Sequence, residues 1–274
     1  MKKGFTLVEL SIVLVIIGLL IGGILVGQSM VNSSRINKVI EEAQQYQAMM
    51  DNFKTTYNYY PGDMPSGMLG TSCANNGGNG CHGNGNGIIG ETVFGYYGEA
   101  CRFWQHLTIV GYLKYTLTPQ NSNAGGCVSG LDTPKSAYSK NAYWHFAYAA
   151  NSSSSLPGAS SNLQHYFMLY GGTTANSCFG REMACNNIPA GIKPMNALAI
   201  DKKIDDGHPL TGNVLAGNSN NSVLASAPYD VQNRYCLYST NQYAAPIDYP
   251  SWSYYKSYNE DNNGCALGIK ANLN

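Results

Sequence analysis

Between Phe5 and Gly27 the chain runs for 23 residues in which Glu9 is the only ionisable side chain, and no other feature narrows the possible folds so far. An α-helix of about 20 apolar residues spans the hydrocarbon of a bilayer. This run is long enough to cross a membrane. Lys2, Lys3 and the starting amine precede it, and nothing basic follows until Arg35, so the short end is expected in the cytoplasm with the rest exported. An ordinary secretory signal has a shorter apolar region, roughly 7 to 15 residues, and a cut at small residues beyond it. Here Gly27-Gln28-Ser29-Met30 fits such a cut poorly. A cut between Gly4 and Phe5 would instead remove the lysines and leave the helix in place.

The string Gly4-Phe5-Thr6-Leu7-Val8-Glu9-Leu10 ahead of this run resembles the start of type IV pilins and of the pseudopilins of type II secretion. The resemblance implies that a prepilin peptidase cuts after Gly4 and methylates the new amine of Phe5. It also implies an assembly role for Phe5 and Glu9, with the glutamate attracting the Phe amine of a neighbouring subunit. Physical chemistry leads to a similar expectation, because a carboxylate inside a membrane helix costs about 2.5 to 3.5 kcal/mol and is usually paired, neutralised or functional. The plainer reading is a glutamate near the interface that snorkels or is protonated; Gly4-Phe5 before it favours assembly.

From this follow a leader at 1–4, a transmembrane helix at 5–27, an amphipathic stem helix at 28–60 and an exported globular head at 61–274. The implied fold class is α+β: a pilin-like ladle whose long N-terminal helix packs on a small antiparallel sheet with long disulfide-stapled loops. The implied partners are identical and related subunits, the prepilin peptidase, an inner-membrane assembly platform and the membrane. The implied location is the bacterial inner membrane, single-pass, and later a periplasmic or cell-surface filament.

The stem reads from its periodicity. Ile36, Val39, Ala43, Tyr46, Met50, Phe53 and Tyr57 recur in steps of three and four, while Arg35, Lys38, Glu41, Glu42, Gln45 and Lys54 fall elsewhere, which defines one apolar helix face. About three heptads are short for a coiled coil, so packing on the chain's own sheet is expected. Pro61-Gly62 ends the pattern. From Phe5 to Tyr59 such a helix would be on the order of 80 Å long. Gly18, Gly22, Gly23 and Gly27 interrupt its apolar half; they suit close helix approach or local loosening, or simply reflect the frequency of glycine in membrane helices.

Eight cysteines in a largely exported chain read as disulfides. Pairing nearest neighbours gives Cys73 with Cys81, Cys101 with Cys127, Cys178 with Cys185 and Cys236 with Cys265, one choice among the 105 that eight cysteines allow. The last pair would staple a C-terminal loop like that of many pilins. Sixteen basic and sixteen acidic residues give no net charge, so the basic footprint of a protein whose principal partner is nucleic acid is absent.

Residues 99–112 read as a second helix, with Ala100, Phe103, Leu107 and Val110 on one face. Short aromatic or β-branched segments at 142–149, 164–170, 197–204, 235–239 and 266–273 read as strands, and 152–161 and 213–222 as polar loops. Asp201, Asp205 and Asp206, followed by Gly207, admit two readings: a hairpin turn balanced by Lys202 and Lys203, which is the favoured one, or oxygen ligands of a structural calcium ion. No other cofactor is expected.

Five scattered histidines and the absence of a nucleophile elbow or paired metal signature argue against an enzyme. The resulting expectation is a structural filament subunit. Two alternatives are a minor or tip subunit whose Tyr-rich head binds a surface, substrate or DNA, and a membrane-tethered exported enzyme.

Overall fold

The computed structural model describes residues 6–65, 67–69, 83–89, 92–93, 97–114, 133–149, 164–171, 191–209, 211–218, 236–239, 252–254 and 264–273. Its dominant element is α1, Leu7–Tyr57, an unbroken helix of 51 residues, about 77 Å long at 1.5 Å per residue. Its start is fixed by a capping box, in which Thr6 accepts from the Glu9 amide while Glu9 accepts from Thr6, so that two otherwise orphaned donors are satisfied. Its end is fixed by Asn58, which turns left-handed at φ 60° and donates its N–H to Lys54 O. Asparagine tolerates that conformation better than most residues. The helix therefore closes two residues short of the expected Tyr59.

The remaining elements are β1 (Thr92–Val93), β2 (Tyr97–Gly98), α2 (Glu99–Ile109), β3 (Ala142–Ala149), β4 (Gln164–Gly171), α3 (Pro194–Ile204), β5 (Val214–Asn218), β6 (Leu237–Ser239), β7 (Trp252–Tyr254) and β8 (Cys265–Ala271). The main sheet is antiparallel throughout, in the order β3-β4-β8-β5. β1 with β2 and β6 with β7 form separate two-stranded ladders. The fold is thus α+β, with a long apolar N-terminal helix and a small antiparallel sheet.

Strand alternation sends every second side chain to one face. Ala142, Trp144, Phe146, Phe167, Leu169, Val214, Ala216, Leu267 and Ile269 share one core with Ile36, Val39, Ala43, Tyr46, Met50 and Phe53 of α1. The opposite positions Tyr143, His145, Tyr166, Met168, Leu215 and Ala266 are buried too. Covering both faces explains why these strands lack a clean polar alternation.

Two sequence expectations are corrected. Residues 197–204 are not a strand but most of α3: Pro194 occupies the first helical turn, where its missing N–H costs nothing, and Ala197, Ile200 and Ile204 pack inward at helical spacing. Residues 214–218 are not loop but the edge strand β5, whose Gly and Asn content masked Val214, Leu215 and Ala216. Asp206-Gly207 accordingly sits between a helix and a strand, not in a hairpin.

Candidate functional site

Gly4 and Phe5 lie outside the described residues. The helix that follows them is divided into two chemically different halves. From Leu7 to Val31 its large apolar side chains are exposed, Leu7 by 84% and Leu19 by 73%, and this is the one helix among the described residues long and apolar enough to cross a membrane. So large a bare apolar surface requires lipid or another chain around it. Glu9 stands at its start. Its Oε2 accepts from Thr6 N and Thr6 Oγ1, both at 2.8 Å, so in a single protomer the carboxylate is directed at its own helix N-terminus.

The second half is a stem that the head encloses. Ile36, Val39, Ala43, Tyr46, Met50 and Phe53 are buried, and Tyr57 is half-buried against the same core. Tyr46 stands edge-on to Trp104 and Trp144, with ring centroids 4.9 and 5.7 Å apart. Phe103 of α2 stacks on Phe146 of β3 at 4.1 Å. Aromatic pairs at these separations add about 0.5 to 1.5 kcal/mol each beyond area burial.

Polar clasps fix the register of stem against head. Glu42 accepts from Ser136 Oγ at 2.6 Å, from Ala137 N at 2.7 Å and from Trp144 Nε1 at 2.7 Å. Gln47 donates to Asn272 O at 2.7 Å and accepts from Asn272 N at 3.0 Å. Asn32 and Asn196 exchange two hydrogen bonds of 2.9 Å, each from one side chain's Nδ2 to the other's Oδ1. In the sequence Glu42 falls simply off the apolar face. Its neighbours at positions 136–144 are about a hundred residues distant, and no local signal could have named them.

Beyond the stem, the chain turns at Tyr60–Asp63 and is locked from inside. His106 Nδ1 accepts the Gly62 N–H at 2.9 Å. The buried Asp63 carboxylate accepts from the N–H groups of Gly85, Asn86 and Gly87 at 2.7, 3.1 and 2.8 Å. Gly85 and Gly87 have φ of 75° and 81°, which turns these donors inward around the carboxylate, as in an anion-binding nest. Burial raises the Asp63 pKa, and the three N–H groups oppose that rise. Arg102, buried beside Glu99, is brought down to about 10 by desolvation. His145 and His165 are lowered by burial to about 4 and about 3, and His165 Nε2 accepts the Ile89 N–H at 2.9 Å.

Cys236 and Cys265 form a disulfide, which ties β6 to the start of β8. Cys101 is also disulfide-bonded, to a cysteine outside the described residues. Cys73, Cys81, Cys127, Cys178 and Cys185 lie outside them as well, and with them the expected pairings 73–81, 101–127 and 178–185.

The structure brings Asp201, Asp205 and Asp206 together, with one carboxylate oxygen from each within 4.8 Å of the others. Asp201 accepts from Gly207 N, Asp205 from Asn213 N and Val214 N, and Asp206 from His208 N and Thr211 Oγ1. Each carboxylate therefore caps backbone where α3 hands over to β5. A calcium ion takes six to eight oxygens, more than three carboxylates offering one oxygen each would supply.

The helix is thus bare and apolar along one half and wrapped by its own head along the other, which suits a membrane-anchored subunit. Residues 1–25 match the family described as the prokaryotic N-terminal methylation motif, the mark of a prepilin-peptidase substrate of the type IV pilin and pseudopilin kind. That motif points to a structural protein. Comparison with curated proteins and with solved structures found no match.

Proposed function

We propose that the chain is a structural subunit of a type IV pilus-like or type II secretion pseudopilus filament. After cleavage behind Gly4 it waits in the inner membrane with its head outside. It is then extracted into an open helical assembly of side-by-side N-terminal helices. The observation that carries this reading is the single uninterrupted helix Leu7–Tyr57, apolar and exposed as far as Val31 and buried in the head from Ile36 onward. A heterologous contact repeated between identical helices yields an open filament unless the rotation closes it. In the assembly Glu9 exchanges its capping bonds to Thr6 for the Phe5 amine of a neighbour, an ion pair favoured in low dielectric. The reading requires no cofactor and no catalytic residue.

The test is filament yield in cells producing Glu9→Ala or Glu9→Gln. Both variants should keep the head folded and accumulate in the membrane, yet lose assembly. Unchanged polymer yield in both would refute the role given to Glu9.

A further inference from the structure

The corner where the apolar span meets the head has a chemistry of its own. α3 lies along α1: Asn196 near its start is bonded to Asn32, and Lys203 near its end donates to Asn37 Oδ1 at 2.6 Å. Its first residues therefore point back toward the bare half of α1. Asn32 lies five residues past Gly27, about 7.5 Å above the end of the apolar run. That height is the outer edge of the headgroup layer, which adds roughly 5 to 7 Å to each side of the hydrocarbon; Arg35, about 12 Å above Gly27, is within a long side chain's reach of it.

Two features at this height go together. Met195, one residue nearer the span than Asn196, is 48% exposed; beyond Val31, it and Met68 are the only large hydrophobic side chains exposed among the described residues. The local charges are positive. Between Glu9 and Glu41, α1 carries only Arg35 and Lys38, of which Lys38 is engaged with Glu41 at 2.5 Å, and Lys193 sits immediately before α3 with no side-chain capping bond there. An exposed apolar side chain two residues after Lys193, on a helix bonded to α1 three residues before Arg35 and continuous with a membrane span, matches the interfacial pattern in which a hydrophobic side chain enters the acyl boundary and cations meet lipid phosphates.

We propose that Met195, Arg35 and Lys193 form a foot on which the head rests against an anionic phospholipid surface while the subunit waits in the bilayer. This rests on the membrane-anchored reading given above. The foot fixes the height and tilt of the head before extraction, and leaving the membrane breaks this contact as well as the span's own.

The experiment uses the full chain in vesicles of phosphatidylethanolamine and phosphatidylglycerol that contain lipids with a quencher in the headgroup or mid-chain. A fluorescent amino acid is placed singly at Met195, at Leu20 in the span, or at the exposed Asn58, which lies about 40 Å further up α1 than Asn32. The label at 195 should be quenched by headgroup quenchers, the label at 20 by mid-chain quenchers and the label at 58 by neither. In Arg35→Gln and Lys193→Gln variants, foot occupancy should weaken by about fivefold per charge removed, and similarly in phosphatidylcholine alone, as about 1 kcal/mol per basic residue implies. Quenching at 20 without quenching at 195 overturns the foot while leaving the anchor standing. No quenching at 20 overturns the anchor and the foot with it. Quenching at 195 that ignores both the variants and the lipid charge overturns the recognition of an anionic surface.

Discussion

Glu42 is the residue on which the fit of stem to head depends most. Its carboxylate receives three hydrogen bonds, one of them from the indole of Trp144, which is fully buried. Replacing it with alanine leaves those donors without an acceptor, at about 1 to 3 kcal/mol for a single group. Glu42→Ala is therefore expected to lower the unfolding free energy by about 2 to 4 kcal/mol, with Glu42→Gln intermediate, when denaturant titrations of the detergent-solubilised chain are compared. An effect within about 0.5 kcal/mol, typical of neutral surface changes, would remove the clasp from this account.

Histidines make a second prediction at the same scale. His145 and His165 fall from the ordinary 6.5 to about 4 and about 3 because burial disfavours the cation. Between pH 6.5 and those values the unfolded chain binds protons that the folded chain refuses. Their contribution is thus complete above pH 6.5 and is lost as pH falls through that window. The loss should be on the order of 2 kcal/mol per histidine between pH 7 and 5. Asp63, whose value is raised by burial, works in the opposite direction. Unfolding measured across this range should show the decline, and His165→Gln should flatten it. A stability independent of pH from 7 to 5 would contradict the buried, neutral assignment.

Among the elements, α1 was the most legible, because both its signals are local: a long apolar run, then a three-and-four rhythm from Ile36 to Tyr57. β3 and β4 were legible from aromatic density, and α2 from its spaced apolar residues. α3 is ambiguous in the sequence because Ala197 to Ile204 is short and apolar enough for either structure; Pro194, which opens the helix, is the local signal that separates the two. β5 was hidden because edge pairing with β8, a partner some fifty residues away, overrides the weak strand preference of Gly217 and Asn218. The junction between α3 and β5 carries a testable consequence. Asp205 accepts from Asn213 N and Val214 N, so Asp205→Ala should cost about 1 to 2 kcal/mol, as loss of a cap does. Thermal unfolding of the unmodified chain should give one midpoint in calcium and in chelator. A midpoint raised by calcium and lowered by Asp205→Ala would reassign the three aspartates as ion ligands.

At the scale of the molecule, two solvents act on one helix. Among the described residues nothing packs over the half up to Val31, and the half from Ile36 is a core element of the head, so the head alone would lack a face of its own core without the stem. This division was readable in outline because hydropathy changes abruptly at Gln28, whereas the contacts that make the head one unit with the stem connect residues a hundred or more positions apart and leave no local trace. Glu99, Arg102 and His106 illustrate this: on a helix read as half-apolar, all three are buried, because the turn at Tyr60–Asp63 and the loop at 83–89 close over them. In the proposed function, processing behind Gly4 removes Lys2 and Lys3 while preserving the entire helix. Mass spectrometry of the mature N-terminus, on chain purified from membranes of cells containing a prepilin peptidase, tests this directly. The account predicts a chain beginning at N-methylated Phe5; retention of Met1, or a start beyond Gly27, would contradict it.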